Sequence, residues 1–461
     1  MKELIEKIFK GDKVIWTIFF CLSVISIVEV FSASSFLTYD IQDHWSPIIK
    51  HTLFITIGAG IMILFQKVHF KWFRLIGIIL PFIAGFFLVF TTIKGIINPA
   101  LRTNGAARWI EILGVRFQPS ELAKVALICA IAFILSKLQG KNHAKQKAFN
   151  WIIGVTFALA IPITIENFST GAILFAVMFL MLFVGRVKIV TLAKAGLLVL
   201  VLALAVYGVS QIPGAQQKLP VLHRVDTWMS RLGSFNSDEA EDLTPVQYME
   251  KYNQRGHANI AIATSGLLGV GPGNSVQRDY LSQAFSDFIY AIIIEELGLI
   301  PAGFIALLYI ILLFRIGKVA IKYRDKIIRI DSMTLDDKVR YNINDTQLQE
   351  IKNQIFFGIF LIMGIGFLFV IQALINMMVA VDIIPITGQP LPFVSKGGTS
   401  TFINCALLGM VLSVTEKADV NFLKLAEETE HKQENSDNTD TPPTSLGEVE
   451  QTETALDNIA I

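Results

Sequence analysis

The chain has 461 residues, of which 53% are hydrophobic and only 17% are charged. Soluble domains carry about 25% charged residues, and here the apolar residues lie in long blocks, so a series of soluble domains is excluded. The net charge of +1 hides an asymmetry: residues 416–461 hold twelve acidic residues and three lysines, a net charge of −9, and the remainder carries +10.

Ten apolar blocks are long enough to cross a membrane, because about 20 apolar residues span about 30 Å of hydrocarbon. In chain order the blocks cover residues 14–33, 48–66, 72–93, 119–137, 150–166, 169–186, 189–210, 286–314, 354–380 and 399–415. The first block is too long for a signal peptide and has no cleavage site of small residues. The sequence therefore predicts an all-α integral membrane protein with about ten transmembrane helices.

Lysine and arginine are concentrated in alternate connections between these blocks. Residues 1–13 carry four lysines, and residues 315–352 carry nine lysines and arginines. Because basic loops stay on the cytoplasmic side, both termini are predicted to be cytoplasmic. The predicted organisation is a short cytoplasmic N-terminus (1–13), a membrane domain (14–415) and an acidic, disordered cytoplasmic tail (416–461).

Three connections on the opposite face are candidates for function, because binding and catalytic residues concentrate on loops held by a rigid scaffold. The first covers residues 94–118, and the third, residues 381–398, is rich in proline and glycine. The second covers residues 211–285, between helices 7 and 8, and is far longer than an ordinary connection.

The first polar cluster lies where the fourth helix begins. Pro119 suits the first turn of a helix, and Glu121 and Lys124 are then neighbours on one face. One interpretation is a helix-start signal with a weak local ion pair. The other is a polar wall facing a cavity, with Lys124 or Arg108 available to an anionic ligand.

The second cluster is acidic. Asp287 lies where the long loop meets the eighth block, and a helix dipole favours an acid in that position. A functional role for this carboxylate is the alternative interpretation. Glu295 and Glu296 follow and are predicted to lie about 12–14 Å further along the same helix, where they need partners or water.

The third cluster is the stretch 387–400, TGQPLPFVSKGGTS, whose prolines forbid a regular helix. It is either a tight loop or a segment that re-enters the membrane domain against a cavity. The remaining signals are weak. The glycine-rich stretch 266–273 is interpreted as a turn, the three cysteines (Cys21, Cys129 and Cys405) as buried hydrophobic residues, and no zinc or nucleic-acid motif is present.

Together these stretches resemble the SEDS family of membrane glycosyltransferases, which includes FtsW and RodA. The resemblance covers residues 14–415 and rests on GAARWIEILGVRFQPSELAK (105–124), SGLLGVGPGNSVQRDYLSQAFSDFIYAIIIEELG (265–298) and the stretch 387–400. The chain is more similar to FtsW, the septal member, than to RodA. It departs from the family pattern at 166–171 and 281–286, and also at Lys396, where an aromatic residue is common.

The resemblance implies an enzyme that polymerises lipid II, a disaccharide-pentapeptide on undecaprenyl pyrophosphate. The C4 hydroxyl of an acceptor sugar attacks C1 of the donor MurNAc, and undecaprenyl pyrophosphate leaves with inversion. Asp287 is the implied base, Arg108 and Lys124 contact the pyrophosphate, and Glu121 orients Lys124. The further implied substrate contacts are Trp109, Gln118, Ser120, Arg224, Thr387, Ser395 and Lys396.

A divalent cation, Mg²⁺ or Mn²⁺, could share in neutralising the pyrophosphate, although no cluster of metal ligands identifies a site. The implied protein partner is a class B penicillin-binding protein, whose transmembrane helix would dock around 286–314 and 354–380, together with other division proteins. The implied location is the bacterial cytoplasmic membrane at the division septum, with no role in nucleic-acid binding.

Three alternatives to a septal polymerase remain open. A lipid II flippase would use a similar polar cavity to move its substrate without making bonds. A RodA-type enzyme would perform the same chemistry during elongation. A scaffold for division proteins would have no chemistry of its own, so its charged residues would be individually dispensable.

Overall fold

A computed structural model of the protein describes residues 9–34, 45–98, 109–112, 115–140, 143–210, 253–281, 284–334, 338 and 344–417. The predictions for Arg108, Arg224, most of the 211–285 loop and the tail beyond Lys417 lie outside these residues. Within them the chain forms twelve α-helices and one β-hairpin.

The helices follow one another in the chain with short connections, apart from the long loop before α8. Their bounds are α1 Lys13–Ala33, α2 Ser46–Lys67, α3 Phe73–Ile97, α4 Pro119–Lys137, α5 Gln146–Glu166, α6 Phe168–Val184, α7 Ile189–Ser210, α8 Asn253–Ser265, α9 Ile289–Leu297, α10 Leu299–Asp331, α11 Asp345–Ala380 and α12 Gly398–Lys417. Strands β1 (Ile110–Ile112) and β2 (Val115–Phe117) form an antiparallel hairpin directly before α4.

The prediction of a multi-pass, all-α membrane protein is confirmed. Among the described residues, nine helices are long and apolar enough to cross a membrane. The remaining predicted span, 169–186, corresponds to α6, an apolar helix of 17 residues. Each span forms because a long apolar run can satisfy its backbone hydrogen bonds internally only as a helix.

The predicted helix over 286–314 is wrong, because the structure has two helices there. α9 ends at Leu297 and α10 begins at Leu299, with Gly298 between them at a φ of +94°. That conformation favours glycine. A Cβ atom at Gly298 would lie 2.4 Å from the carbonyl oxygen of Leu267, so the glycine also permits close approach of the preceding loop.

The first and last helices meet at one end of the bundle, which we call the terminal end. The backbone N–H of Asp12 donates to Thr415 Oγ1 over 3.1 Å, and Lys10 pairs with Glu416 over 3.2 Å. Arg315 Nε on α10 also donates to Asp12 Oδ2, over 3.0 Å. The opposite end, where α1 ends and α12 begins, is the loop end.

Helix α4 lies at the centre of the bundle, because 83% of the residues in its apolar stretch are buried. Only 6% of those in α7 are buried, so α7 lies at the periphery. Helices α2 and α12 approach closely through small residues, as is usual within membranes. A Cβ atom at Gly58 would lie 2.8 Å from Cys405 Sγ, and one at Gly409 would lie 2.5 Å from the carbonyl oxygen of Met62.

Residues 387–397, between α11 and α12, form a re-entrant segment inside the loop end, in agreement with one of the two interpretations of the sequence. Side chains from four helices donate to its carbonyl oxygens: Ser169 to Thr387, Asn376 to Gln389, Gln372 to Pro390, Tyr309 to Pro392 and Ser26 to Val394. Tyr309 lies ten residues from the start of α10, so the segment at Pro392 lies about 15 Å along that helix from its start. Irregular backbone is stable at this depth because these donors replace water.

Candidate functional site

Asp287 lies at the loop end, two residues before α9 begins, and its side chain is half-buried. A Cβ atom at Gly388 would lie 3.5 Å from Asp287 Oδ2, so the carboxylate lies against the backbone of the re-entrant segment. Gly388 has a φ of +68°, a conformation that glycine adopts readily. The absence of a side chain at Gly388 lets the backbone of the re-entrant segment lie close to the carboxylate.

Asn376 on α11 holds Asp287 and the re-entrant segment together. Its Nδ2 donates to the carbonyl oxygen of Asp287 over 2.9 Å and to that of Gln389 over 2.7 Å. The side chain is fully buried. Sequence analysis missed this residue, although an amide within an apolar span was the signal that could have found it.

Ser395 and Lys396 attach the other end of the re-entrant segment to the chain just before Asp287. Ser395 Oγ donates to the carbonyl oxygen of Ser286 over 2.6 Å and accepts from the N–H of Leu391 over 2.7 Å. The N–H of Lys396 donates to the carbonyl oxygen of Phe285 over 2.9 Å. The Ser395 hydroxyl, predicted to contact substrate, is thus used within the protein.

Glu121 and Lys124 form an ion pair inside the bundle, with 2.8 Å between Nζ and Oε2. The pair is not the weak exposed one of the first interpretation, because the side chains are only 7% and 2% exposed. Burial follows from the central position of α4, and Pro119 starts that helix at its first position, as predicted. A buried charge of this kind is retained where its partner and further contacts compensate the loss of water.

A small cleft of about 20 Å³ lies beside the start of α4, between α3 and the junction of α5 with α6. Gln118, Ser120, Glu166 and Asn167 contribute its polar lining. Among the described residues the buried Ser120 hydroxyl has no hydrogen-bond partner, so it can bond to a ligand in the cleft. Trp109, in front of β1, is 46% exposed.

A continuous series of hydrogen bonds links this cleft to Asp287. Asn167 accepts from the N–H of Thr170 over 3.3 Å, and Gln389 Nε2 donates to Thr170 Oγ1 over 2.8 Å. Asn376 Nδ2 then donates to the carbonyl oxygens of both Gln389 and Asp287. The structure therefore brings together predicted site residues from three separate parts of the chain.

Glu295 and Glu296 do not lie further inside the bundle, as the sequence predicted. Glu296 accepts a hydrogen bond from Ser32, in the last turn of α1 at the loop end. Glu295 and Glu296 together accept backbone N–H bonds at Gly273, Ser275, Val276 and Gln277. The two carboxylates fold the glycine-rich stretch onto α9, which is a structural role.

Within the part of the chain that the structure describes, no group of three or more His, Cys, Asp or Glu side chains could hold a metal ion. No step proposed below passes through such an ion.

The sequence model of the cell cycle protein family FtsW/RodA/SpoVE matches residues 12–335 and 347–419. These residues include every described residue of the site. The chain belongs to this family.

Relatives within the family match over nearly their whole length. A probable peptidoglycan glycosyltransferase FtsW from Geobacter sulfurreducens is 28% identical, covering 90% of this chain and 97% of the relative. The stage V sporulation protein E of Bacillus subtilis is 27% identical, covering 86% and 94%.

Solved structures share the fold of this FtsW/RodA/SpoVE family member. A chain from a peptidoglycan synthase complex superimposes with a TM-score of 0.60 at 19% identity, covering 89% of this chain and 99% of that one. The rod shape determining protein RodA of Thermus thermophilus gives a TM-score of 0.56 at 17% identity, covering 89% and 98%.

Proposed function

We propose that this chain polymerises lipid II into glycan strands for septal cell-wall synthesis. The hydroxyl at C4 of the acceptor attacks C1 of the donor MurNAc, its proton passes to Asp287, and undecaprenyl pyrophosphate leaves with inversion at C1. The relatives named as probable peptidoglycan glycosyltransferases support the substrate class.

The observation that carries the proposal is the placement of the Asp287 carboxylate. It is half-buried, lies against Gly388 of the re-entrant segment and is held through its backbone carbonyl by Asn376. A general base needs a fixed position within hydrogen-bond reach of the attacking hydroxyl, and this arrangement provides one.

The leaving pyrophosphate requires positive charge in a water-poor environment. Lys124 supplies a buried ammonium group, and Glu121 fixes its position through the 2.8 Å ion pair. Arg108, close before β1 in the chain, is proposed as a second cation. Gln118 and Ser120 line the adjacent cleft and can donate to sugar or phosphate oxygens.

The loop end is proposed to face the outside of a bacterial cytoplasmic membrane, and the terminal end the cytoplasm. Lys10, Lys13 and the long basic extension of α10 belong to the terminal end, which supports this orientation. Asp287 would then meet lipid II after the lipid has been flipped outward.

The test is polymerisation of purified lipid II by the full chain with Asp287→Asn. Loss of a general base reduces rates by about 10²–10⁴-fold, so strand formation should fall by that factor. Asp325→Asn is the matched control, because Asp325 is 54% exposed and contacts only Arg324 among the described ion pairs. The control should polymerise at the rate of the unmodified chain.

Glycan strands formed at the normal rate and length by Asp287→Asn would show that Asp287 is not the base. Outward movement of lipid II across a bilayer without any glycan formation by the unmodified chain would identify a flippase instead. A scaffold would give neither product.

We further infer that a class B penicillin-binding protein docks its transmembrane helix on α10 and α11. A groove of about 780 Å³ runs along these helices toward the terminal end. Gly317, Ala320 and Ile321 line one side and Phe356 and Phe360 the other. Small residues flanked by large apolar ones suit close approach of a partner helix.

Filling the groove tests this partner. A Cβ atom at Gly317 meets no atom within 4 Å, so Gly317→Leu should leave the fold intact while weakening co-purification with the penicillin-binding protein by about tenfold. Gly196→Leu on α7 is the control, because Gly196 is equally open but lies away from the groove. Equal recovery of the partner with both variants would place the interface elsewhere.

A further inference from the structure

The proposed reaction requires two anionic groups to be held at the same time. The donor leaves undecaprenyl pyrophosphate, and the acceptor, being lipid II, keeps its own pyrophosphate through the reaction. Lys124 and Arg108 are assigned to one of them. We propose that Lys50 and Lys396 form a second phosphate-binding site, which takes the pyrophosphate of the other polyprenyl lipid; this inference rests on the proposed function.

Lys396 is positioned beside the segment that carries Asp287. Its N–H donates to the carbonyl oxygen of Phe285 over 2.9 Å, and Ser395 fixes the neighbouring peptide to Ser286. The Lys396 Nζ lies 4.8 Å from the centroid of the Phe285 ring, a distance at which an ammonium group is attracted to the ring face. The Lys396 side chain thus lies against Phe285, two residues before Asp287 in the chain.

Lys50, in the second turn of α2, adds a second positive charge at the same place. Helices α2 and α12 pack in parallel register, with Gly58 against Cys405 and Gly409 against Met62, and this register brings Lys50 to the level of Lys396. Within the described ranges no carboxylate forms an ion pair with either lysine. Lys396 is half-buried and Lys50 is exposed, so an anion at this place would meet two cations that no described carboxylate neutralises.

His51 acts as a positioning residue for this pair. Ser26 Oγ donates to the carbonyl oxygen of Val394 over 2.7 Å, so its oxygen is left to accept from His51 Nε2 over 2.8 Å. The histidine therefore holds Ser26, and through it the peptide two residues before Lys396. α2 and α12 also begin at the loop end, where the positive ends of their dipoles favour an anion.

The chemistry selects a phosphate ligand. Each lysine offers three donors without an acceptor, and the oxygens of a pyrophosphate can accept from both ammonium groups at once. Phosphate groups on a polyprenyl chain and on a phospholipid share this chemistry, so the experiment separates the two sources.

The experiment measures binding of fluorescent undecaprenyl pyrophosphate to the purified full chain in nanodiscs of uncharged lipid. Lys50→Gln and Lys396→Gln should each weaken binding by about tenfold or more, because one charge-assisted contact is lost in each. Lys396→Arg should restore most of the affinity. Lys318→Gln, at an exposed lysine near the terminal end, is the control and should bind normally.

Competition separates the sources of phosphate. Unlabelled undecaprenyl pyrophosphate should displace the probe at far lower concentration than phosphatidylglycerol. Displacement by both lipids at equal concentration, or unchanged affinity in both glutamine variants, would overturn the site. Because Lys50 is exposed, Lys50→Gln keeps the fold and decides the matter even where Lys396→Gln does not accumulate.

Failure of this inference is distinguishable from failure of the proposed function. Asp287→Asn should bind the probe at least as tightly as the unmodified chain while forming no strands. Strand synthesis that is unaffected by both lysine variants would reject the second site and leave the polymerase. Lysine-dependent binding without any strand synthesis by the unmodified chain would reject the polymerase and leave the site.

Discussion

Burial of the Lys124 ammonium group costs free energy that a specific contact must offset. An ammonium group that is 2% exposed is stable there because Glu121 neutralises it at 2.8 Å. Removing one member of a buried pair is more damaging than removing both, because the remaining charge has no partner. The pair therefore predicts a particular order of stabilities among its variants.

Glu121→Gln should lower the free energy of unfolding by about 3 kcal/mol, because it leaves the Lys124 charge uncompensated. The double variant Glu121→Gln with Lys124→Gln should recover part of that loss, yet it should polymerise as poorly as either single change. Thermal unfolding in detergent and strand synthesis from lipid II measure the two effects. A double variant less stable than Glu121→Gln would contradict the argument.

Sequence alone pointed to the charged candidates and to neutral ones outside the spans, such as Gln118 and Ser395, but it missed two neutral residues within the spans. Asp287, Glu121 and Lys124 stand out because charges are rare in apolar spans. Asn376 and Tyr309 did not, because one amide or phenol in a long span is compatible with ordinary core packing. Their importance comes from carbonyl oxygens that are distant in sequence, at Gln389 and Pro392.

At the scale of elements, the re-entrant segment depends on its donors. Asn376 alone serves two carbonyl oxygens, at Asp287 and Gln389, and both are enclosed by protein. A buried carbonyl without a partner costs about 1–3 kcal/mol, so loss of this side chain affects both the segment and the position of Asp287.

Asn376→Leu should therefore reduce polymerisation at least tenfold and lower the thermal unfolding temperature. Asn353→Leu is a control on the same helix, because Asn353 is similarly buried and accepts one described side-chain hydrogen bond, from Gln349 near the terminal end. Strand synthesis assays on both variants decide the point. Equal activity of the two variants would show that Asn376 does not position Asp287.

Two glycines near the turn between α9 and α10, Gly298 and Gly303, should respond in opposite ways to substitution by alanine. Gly298→Ala places a Cβ atom 2.4 Å from the carbonyl oxygen of Leu267 at a φ of +94°, so the variant should be strongly destabilised. Gly303→Ala, on α10 with no atom within 4 Å, should stabilise by up to about 1 kcal/mol through helix propensity. Thermal unfolding of both in detergent measures the difference.

Hydropathy located the spans but could not find this turn. Residues 289–314 form one apolar run interrupted by Glu295, Glu296 and Gly298, and a single glycine is tolerated within many helices. The partners that end α9 lie some 20 residues earlier, at 266–277, and no local pattern joins them to it.

For the whole molecule, the arrangement of the two ends predicts an asymmetric labelling pattern. A membrane-impermeant maleimide applied to intact spheroplasts should label Val276→Cys at the loop end and leave Ser332→Cys at the terminal end unlabelled. Both positions are exposed, and the native cysteines are buried or half-buried within the spans. The reverse pattern would invert the proposed orientation.

The closure of the bundle by α12 also sets an order in time. This helix lies against α2 through Gly58 and Gly409, and the re-entrant segment immediately precedes it in the chain. During synthesis, α9 therefore emerges from the ribosome well before the backbone that will face Asp287. The contact between Asp287 and Gly388 therefore forms only after the last span, α12, has inserted and packed against α2.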